Sequence, residues 1–371
     1  MVVAAGRAGQ LSGASVIRAA HGAGLDAMLV QTRAWDRPSV GGTGRVGDVL
    51  EANVSLALSG SGTPAEQAAE SILSFEREII RFRPKLLALA GDGDALLPCA
   101  LAARFHALPL FRIGGGGGLR RSVRGATTDF VCDHLASQLF CGGSEARLRL
   151  LGEGMAAARV EVVGSPLPEI VLHLRSHGGD VAARLGLAGE YAVASIERPA
   201  RERDDDDEEL ARVIEALLLI GRCVPVVLIL HPRCRRALAA HGLADLVSAE
   251  SGLVDPADLS TRDVVHLVST SKLVLTDSGE LQDEASALGV RCLTLDEVAA
   301  SPETVTHGSN ELVGTDAERV VEGALRALEA TAPLATRPPH WDGTASTQIV
   351  ARLLATLSRA PVRTRAVGVV G

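Results

Sequence analysis

A phosphate-binding turn is the first piece of chemistry in the sequence, within the stretch LVLTDSGELQDEASALG at residues 273–289. The apolar run Leu273–Thr276 is typical of a buried parallel strand, and residues 281–288 continue with helical spacing after the Asp-Ser-Gly turn. A strand that turns into a helix N-terminus presents free N–H groups and the positive end of the helix dipole. Ser278 and Gly279 are therefore predicted to lie beside an anion such as phosphate.

Two carboxylates follow this turn. Glu280 falls in the first turn of the predicted helix, and Glu284 lies one turn later on the same face. A carboxylate beside a bound phosphate weakens binding unless it turns to solvent or pairs with a cation. Alternatively, Glu280 is a first-turn acid that stabilises the helix and points away from the ligand. Both interpretations of Glu280 stay open here.

Short apolar runs alternate with helical patterns along most of the chain, and they indicate the strands and helices that position these residues. The predicted strands are Val2–Ala5, Ala27–Gln31, Leu86–Ala90, Leu108–Ile113, Val160–Val163, Ala192–Ser195, Val226–Leu230, Leu273–Thr276 and Cys292–Leu295. The predicted helices are 64–82, 94–106, 127–137, 144–153, 207–221, 233–240, 280–288, 316–330 and 346–358. The run Val264–Leu267 fits a strand or a helix equally well.

This alternation predicts an α/β protein with two Rossmann-like domains, each built on a doubly wound parallel sheet. The segment GSPLPE at 164–169 separates a domain over 1–166 from one over 167–345. Helix 346–358 is expected to pack back on the first domain, and 359–371 is expected to be a flexible tail. Ligands of such folds bind at the carboxyl ends of the strands, so the cleft between the domains is the predicted site.

Composition narrows the functional class. The chain has 371 residues, 47% of them apolar but 2% aromatic, with a net charge of −8, which argues against a general nucleic-acid surface. No segment is apolar enough for a membrane span, and the N-terminus lacks a signal-peptide pattern. The six cysteines are scattered without metal-ligand spacing, which predicts buried thiols, no metal, no cofactor and a cytoplasmic location.

The sequence resembles the non-hydrolysing UDP-N-acetylglucosamine 2-epimerase family. In its C-terminal half that family has roughly the pattern L-V-L-T-D-S-G-G-x-Q-E-E-A-x-x-L-G, followed by R-P-E and V-G-T-D. The matching segments are AAGRAG (4–9), PKLLALAGDGD (84–94), DHLASQLFCGGSEARLRLLGEGMAAARVEVVGSP (133–166), KLVLTDSGELQDEASALGVRCLTL (272–295) and SPETVTHGSNELVGTD (301–316). They occur in the family's order. The resemblance implies a glycosyltransferase-B fold, usually a homodimer, with UDP or UDP-N-acetylglucosamine in the interdomain cleft.

The resemblance also implies ligand-binding roles. In the family the turn that matches Ser278 and Gly279 grips the diphosphate, and the acid that matches Glu284 binds the ribose hydroxyls. Arg7 matches an arginine that helps to hold the nucleotide phosphates, although by itself it also fits a surface arginine on the first loop. Arg198 retains the arginine of the family's T-x-H-R segment.

The family reaction removes the C2 proton while UDP leaves from C1, and then adds UDP back with a proton on the opposite face. Asp92 matches the acid of G-D-T, and Glu197 stands at the histidine of T-x-H-R. Asp92 also fits a helix cap, and Glu197 also fits a solvated loop acid. The remaining family acids fall on residues without a carboxylate, at Gly114 for H-V-E-A-G and at about Gly125 and Ala126 for P-E-E.

Two further departures lie in the C-terminal half. Glu280 replaces the second glycine of S-G-G, and Ser301 replaces the arginine of R-P-E. Three hypotheses result: an epimerase that uses Asp92 and Glu197, a relative that hydrolyses or transfers a UDP-sugar, and a UDP-sugar-binding or dimer module without turnover. The Ala-, Gly- and Arg-rich composition is typical of GC-rich bacterial genes, and such a divergent copy fits specialised sugar metabolism.

Overall fold

Parallel strands form two separate sheets in a computed structural model, which describes residues 1–32, 50–56, 62–91, 95–117, 123–176, 179–197, 206–247, 251–256, 259–331 and 337–359. The strands of the N-terminal sheet are β1 (Val2–Ala5), β2 (Leu29–Thr32), β3 (Val54–Leu56), β4 (Leu87–Gly91), β5 (Leu110–Ile113), β6 (Gln138–Cys141) and β7 (Val160–Val162). Their spatial order is β3-β2-β1-β4-β5-β6-β7. The helices of this half are α1 (Gly6–Gly22), α2 (Pro64–Phe82), α3 (Leu96–Phe105), α4 (Val123–Leu135) and α5 (Ser144–Gly152).

The C-terminal sheet repeats this arrangement with β8 (Ala192–Ile196), β9 (Val226–Leu230), β10 (Leu253–Val254), β11 (Leu273–Thr276), β12 (Arg291–Thr294) and β13 (Asn310–Leu312), in the order β10-β9-β8-β11-β12-β13. The helices that follow β7 along the chain are α6 (Leu167–Arg175), α7 (Val181–Arg184), α8 (Asp206–Gly221), α9 (Pro232–Ala240), α10 (Thr261–Thr270), α11 (Gly279–Leu288), α12 (Glu303–Thr306), α13 (Ala317–Glu329) and α14 (Ala345–Arg359), the last of which packs on the N-terminal half. The prediction of two Rossmann-like domains with parallel sheets is thus confirmed.

Each sheet is buried on both faces, as parallel sheets require, and the core side chains are mostly Ala, Val and Leu. Val193 of β8 and Val274 of β11 pack under one layer of helices, while Ala194 and Leu275 face the other layer. Leu11 of α1 also lies in the core of the C-terminal half. Helix α1 therefore contributes to both halves of the molecule.

The run Val264–Leu267 is helical, which corrects the strand interpretation. Ser260 Oγ accepts a hydrogen bond from the Asp263 N–H at 3.1 Å, and the Asp263 carboxylate accepts one from the Ser260 N–H at 3.0 Å. This reciprocal capping box starts α10. Because a short apolar run is the same in a buried strand and a buried helix, the box and not the run decides the structure.

Glu169 ties together three helices where the chain crosses between the two sheets. Its carboxylate, on α6, accepts hydrogen bonds from Ser15 Oγ of α1 and from the Ser346 N–H of α14, both at 2.9 Å. Ser346 Oγ also donates to Ser15 Oγ at 2.9 Å. Helix α14 then places Ile349 in the core beneath the N-terminal sheet. This network fixes how α1 enters the interface between the halves.

The six cysteines, all within the described residues, form no disulfide; Cys223 is exposed and the other five are buried. Within the described residues, no helix is both long and apolar enough to cross a membrane.

Candidate functional site

The candidate site lies where the strand order reverses in each sheet. The reversal falls between β1 and β4 in the N-terminal sheet and between β8 and β11 in the C-terminal sheet. Arg7 follows β1, Glu197 follows β8, and Ser278 follows β11. Because ligands of open α/β sheets bind at the carboxyl ends of the strands at such switch points, this is the expected position of a ligand.

The turn after β11 is held rigidly. Thr276 Oγ1 donates to the Ser195 carbonyl of β8 at 2.8 Å and accepts from the Ser278 N–H at 3.0 Å. Ser278 is 3% exposed, and its side chain makes no capping hydrogen bond to α11. A Cβ at Gly279 would overlap the Ala300 side chain, so glycine is required there. The first N–H groups of α11 thus lie at a fixed position without a side-chain cap from Ser278.

Arg7 and Glu284 form a buried ion pair between the N-terminal and C-terminal halves. Arg7 Nη2 donates to Glu284 Oε2 at 3.0 Å, and Nη1 donates to Oε1, which makes the contact bidentate. The two side chains are 3% and 0% exposed. Arg7 Nε is buried and has no hydrogen-bond partner among the described residues. The two residues predicted to bind the phosphates and the ribose are therefore hydrogen-bonded to each other.

Further carboxylates act on the same guanidinium. Burial by itself lowers the pKa of Arg7, but the charges of Glu284, Glu280 and Glu197 raise it, and the net shift is upward. Glu280 and Glu197 thus lie within electrostatic reach of Arg7. The Glu197 N–H donates to Asp277 Oδ1 at 2.7 Å, which joins the end of β8 to the turn after β11.

The structure brings most of the predicted site residues together: the predicted catalytic residue Glu197 and the predicted UDP-binding residues Arg7, Ser278, Gly279, Glu280 and Glu284. Asp92 and Arg198 lie outside the described residues. Gly114 is exposed in the turn after β5, and Gly125 and Ala126 lie in α4, so these matched positions supply no carboxylate.

Sequence reasoning missed a buried network around Arg112 of β5, which is 1% exposed. Arg112 Nη2 donates to Asp129 Oδ1 at 2.9 Å, Nε donates to Asp133 Oδ1 at 3.1 Å, and Nη1 donates to the Gly91 carbonyl. Asp133 Oδ2 also accepts from the Gly116 N–H at 3.0 Å. The network thereby holds the end of β4, directly before Asp92, and the start of the glycine run. An arginine inside the apolar strand LFRI was the signal that could have revealed it.

Asp283 is a second titratable group that sequence reasoning missed. Burial, together with the charges of Glu303 and Glu284, raises the pKa of Asp283 to about 7, although a hydrogen bond from Ser301 opposes the shift. Its Oδ1 atom is buried and lacks a hydrogen-bond partner among the described residues. Asp283 is therefore an acid that changes its charge near neutral pH.

Asp283→Asn is expected to stabilise the folded chain at high pH and to do so less as the pH falls. The unfolded carboxyl ionises at its usual low pH, whereas the folded one keeps its proton to about pH 7. Wild-type stability is therefore lost as the pH rises between these two values, and the full cost is present above the higher one. Because the pKa of Asp283 rises from 3.8 to about 7 on folding, we expect the variant to gain about 4 kcal/mol at about pH 8.5.

Urea unfolding of both proteins between about pH 5 and pH 8.5 measures this difference. Asparagine does not ionise, and Asp283 is also neutral at low pH, so the stability difference between the two proteins at low pH serves as the internal control. A gain that stayed constant over this range would show that Asp283 does not titrate there.

Within the described part of the chain, no group of three or more His, Cys, Asp or Glu side chains is arranged to hold a metal ion.

Comparisons with known proteins agree with the fold. The family model for UDP-N-acetylglucosamine 2-epimerase matches residues 40–354. A UDP-2,3-diacetamido-2,3-dideoxy-D-glucuronate 2-epimerase of Pseudomonas aeruginosa is 30% identical over 276 residues, covering 73% of this chain and 75% of that protein. The UDP-N-acetylglucosamine 2-epimerase of Methanocaldococcus jannaschii is 26% identical over 272 residues, covering 71% and 74%. A crystal structure of the M. jannaschii enzyme with UDP-GlcNAc and UDP superposes with a TM-score of 0.80 at 23% identity, over 95% of this chain and 99% of that one.

Proposed function

This chain belongs to the UDP-N-acetylglucosamine 2-epimerase family, and from that premise we propose that it binds a UDP-sugar between its two halves and inverts the sugar at C2. The observation that carries this proposal is the meeting of Arg7 and Glu284, bidentate and buried, beside the turn of Ser278 and Gly279. An arginine, a carboxylate and the N–H groups of a helix N-terminus are the chemistry that a nucleoside diphosphate needs.

On binding, the diphosphate is proposed to take the N–H groups at the start of α11 and the guanidinium of Arg7. Glu284, released from Arg7, would accept hydrogen bonds from the ribose hydroxyls. Arg7 Nε, which lacks a hydrogen-bond partner among the described residues, offers one further donor to a phosphate oxygen. The exchange replaces a carboxylate by a phosphate as the partner of one buried cation.

Inversion at C2 then requires a base, an acid and stabilisation of the departing UDP. The base would remove the C2 proton as the C1–O bond to UDP breaks, which leaves a glycal, and UDP would return to C1 as a proton reaches the opposite face of C2. We propose Glu197 and Asp92 for the proton transfers. The position of Glu197, within electrostatic reach of Arg7, supports its assignment.

Proton NMR of UDP-N-acetylglucosamine incubated with the chain in deuterium oxide tests this function. Deuterium at C2 together with a manno-configured UDP-sugar is the expected result. The same experiment with UDP-2,3-diacetamido-2,3-dideoxy-D-glucuronate tests the substrate of the P. aeruginosa relative. Free UDP with a free sugar or a glycal would indicate a reaction that stops partway, and no change in either substrate would contradict the proposed turnover.

Binding without turnover is the second candidate function. Gly114 and Ala126, described after β5 and in α4, favour it because they stand at positions where the family pattern has acids. Each missing acid or base is worth roughly 10²–10⁴-fold in rate. This candidate would be supported if the chain broadened the NMR signals of the UDP-sugar, added UDP reversed the broadening, and no deuterium was exchanged at C2.

We also propose that the chain is a homodimer and acts in the cytoplasm. Large apolar side chains on the adjacent helices α2, α3 and α4 support an association surface on the N-terminal half. They are Leu73, Ile80, Phe105 and Phe130, which are 54%, 58%, 71% and 48% exposed. Covering such side chains with a second copy would remove apolar surface from water.

A further inference from the structure

Gln10 is a buried polar side chain near the start of α1. It is 6% exposed, and its Oε1 atom is buried without a hydrogen-bond partner among the described residues. Glutamine is mostly an exposed residue, and a buried acceptor without a donor costs free energy relative to water. A buried carboxamide in this state is therefore a candidate for contact with a ligand.

The direction of the Gln10 side chain follows from its two neighbours on α1. Successive residues of an α-helix are turned by about 100° around its axis. Gly9 faces the end of β4, where a Cβ would lie 2.5 Å from the Ala90 carbonyl oxygen. Leu11 faces the C-terminal half and lies in its core. Gln10, one residue from each, therefore leaves the helix between the end of β4 and the C-terminal half.

The Gln10 carboxamide also lies close to the N-terminal end of α1. Helical side chains lean toward the N-terminus, so a residue covers the turn that precedes its own. For Gln10 that turn carries Arg7, three residues earlier and adjacent on the helix surface. Arg7 extends from there to Glu284 of α11. Gln10 is thus placed beside Arg7, on the side of the end of β4.

Arg7 and Gln10 carry complementary groups at this place. Arg7 is 4% exposed, and among the described residues its Nε–H has no acceptor, while Gln10 Oε1 has no donor. A ligand with one acceptor and one donor close together would satisfy both atoms. The diphosphate of a UDP-sugar supplies the acceptor. The sugar bonded to that diphosphate supplies donors in its hydroxyl groups and in the N–H of an acetamido group.

We propose that Gln10 determines specificity for the sugar, through a hydrogen bond that its Oε1 atom accepts from a donor of the sugar. The inference rests on the proposed function, in which Glu284 holds the ribose and Arg7 holds the diphosphate. The sugar is then the part of the ligand that follows Arg7 toward the N-terminal half. A site that hydrogen-bonds such a donor discriminates against ligands that lack it.

Calorimetric titration of UDP and of UDP-N-acetylglucosamine into the wild type and Gln10→Met tests the inference. Methionine is an unbranched side chain of similar length without the amide. We expect Gln10→Met to bind UDP-N-acetylglucosamine about tenfold more weakly and UDP with unchanged affinity. Gln348→Met, at an exposed position of α14, is the matched control and should bind both ligands as the wild type does.

Two further measurements separate a lost contact from a damaged fold and identify the donor. Urea unfolding should show Gln10→Met to be as stable as the wild type, because Oε1 has no partner to lose among the described residues. Gln10→Asn, which withdraws the amide by one methylene, should show the same selective loss. UDP-glucose has a hydroxyl at C2 in place of the acetamido group. A loss confined to UDP-N-acetylglucosamine would assign the acetamido N–H, and a loss for both sugars would assign a hydroxyl as a donor.

The outcomes also separate the inference from the function on which it rests. Equal affinity of the wild type and Gln10→Met for UDP-N-acetylglucosamine would overturn the inference and leave the proposed function standing. An equal loss for UDP and for UDP-N-acetylglucosamine would also overturn it, because Gln10 would then hold Arg7 in place and not the sugar. A wild type that bound neither ligand would contradict the proposed function itself, and the inference would fail with it.

Discussion

Arg7→Met is expected to abolish detectable UDP binding and to destabilise the fold, whereas adding Glu284→Gln should restore stability but not binding. The single replacement leaves the Glu284 carboxylate, which is 0% exposed, without its cation. An uncompensated buried charge of this kind typically costs about 3–5 kcal/mol. Glutamine at 284 removes that charge and retains the shape of the side chain, so most of this cost should disappear in the double variant.

Binding should respond differently from stability. Under the proposed function, Arg7 donates charge-assisted hydrogen bonds to the diphosphate, and methionine cannot replace them. A loss of about 100-fold or more in UDP affinity is expected in both variants that lack Arg7. Glu284→Gln alone should cost less stability than Arg7→Met, because Glu280 and Glu197 remain within reach of the guanidinium.

Urea unfolding and calorimetric titration of the four proteins form a double-mutant cycle. The design distinguishes a damaged fold from a lost ligand contact, since the double variant is folded and still cannot bind. Wild-type affinity in either variant without Arg7 would exclude this arginine as a phosphate ligand. An unchanged free energy of unfolding in Arg7→Met would mean that the pair is not buried in solution.

Much of the fold follows from local pattern. The strand Leu273–Thr276 was predicted to the residue, and the helix after it begins one residue earlier than predicted. Such strands can be predicted because a parallel strand that is buried on both faces is a continuous apolar run. The short edge strands β3, β10 and β13, of two or three residues, were not predicted, whereas the three-residue edge strand β7 was predicted as Val160–Val163, so length alone does not decide the outcome.

Helix α1 shows why other elements were missed. Its sequence GRAGQLSGASVIRAAHG contains four glycines, which local propensity assigns to loops. The structure gives one of them a packing role: a Cβ at Gly9 would collide with the backbone of Ala90 and Gly91 at the end of β4. The close approach of α1 to the sheet outweighs the low helix propensity of glycine, and this packing is visible only in the tertiary structure.

The residues of the candidate site could be predicted from the sequence, but the contacts between them could not. Family resemblance identified Arg7 and Glu284, yet their pairing joins residues 277 positions apart. The pKa of Asp283 depends on how Ser301 and Glu303 pack against α11, which no spacing in the sequence encodes. Arg7 and Glu284 meet across the two halves, whereas the neighbours of Asp283 meet it within the C-terminal half. In both cases the sequence predicts the participants and the structure supplies the contacts.

Arg112→Met should cause a far larger loss of stability than Arg352→Met, although each arginine makes bidentate or multiple hydrogen bonds to carboxylates. Arg352 binds Glu161 at 2.7–2.9 Å, but the two side chains are 56% and 25% exposed. Exposed pairs contribute about 0–1 kcal/mol, because water solvates both charges after the pair is broken. Arg112 is 1% exposed, and its loss would leave Asp129 and Asp133 buried without a cation, at a cost of about 3–5 kcal/mol.

A third variant would identify the cause. Arg112→Lys should recover only part of the stability, since a single ammonium group cannot reach both carboxylates and the Gly91 carbonyl as the planar guanidinium does. Urea unfolding of the three variants measures these differences. Equal losses for Arg112→Met and Arg352→Met would show that burial does not set the strength of these pairs, and that the end of β4 is held by something other than Arg112.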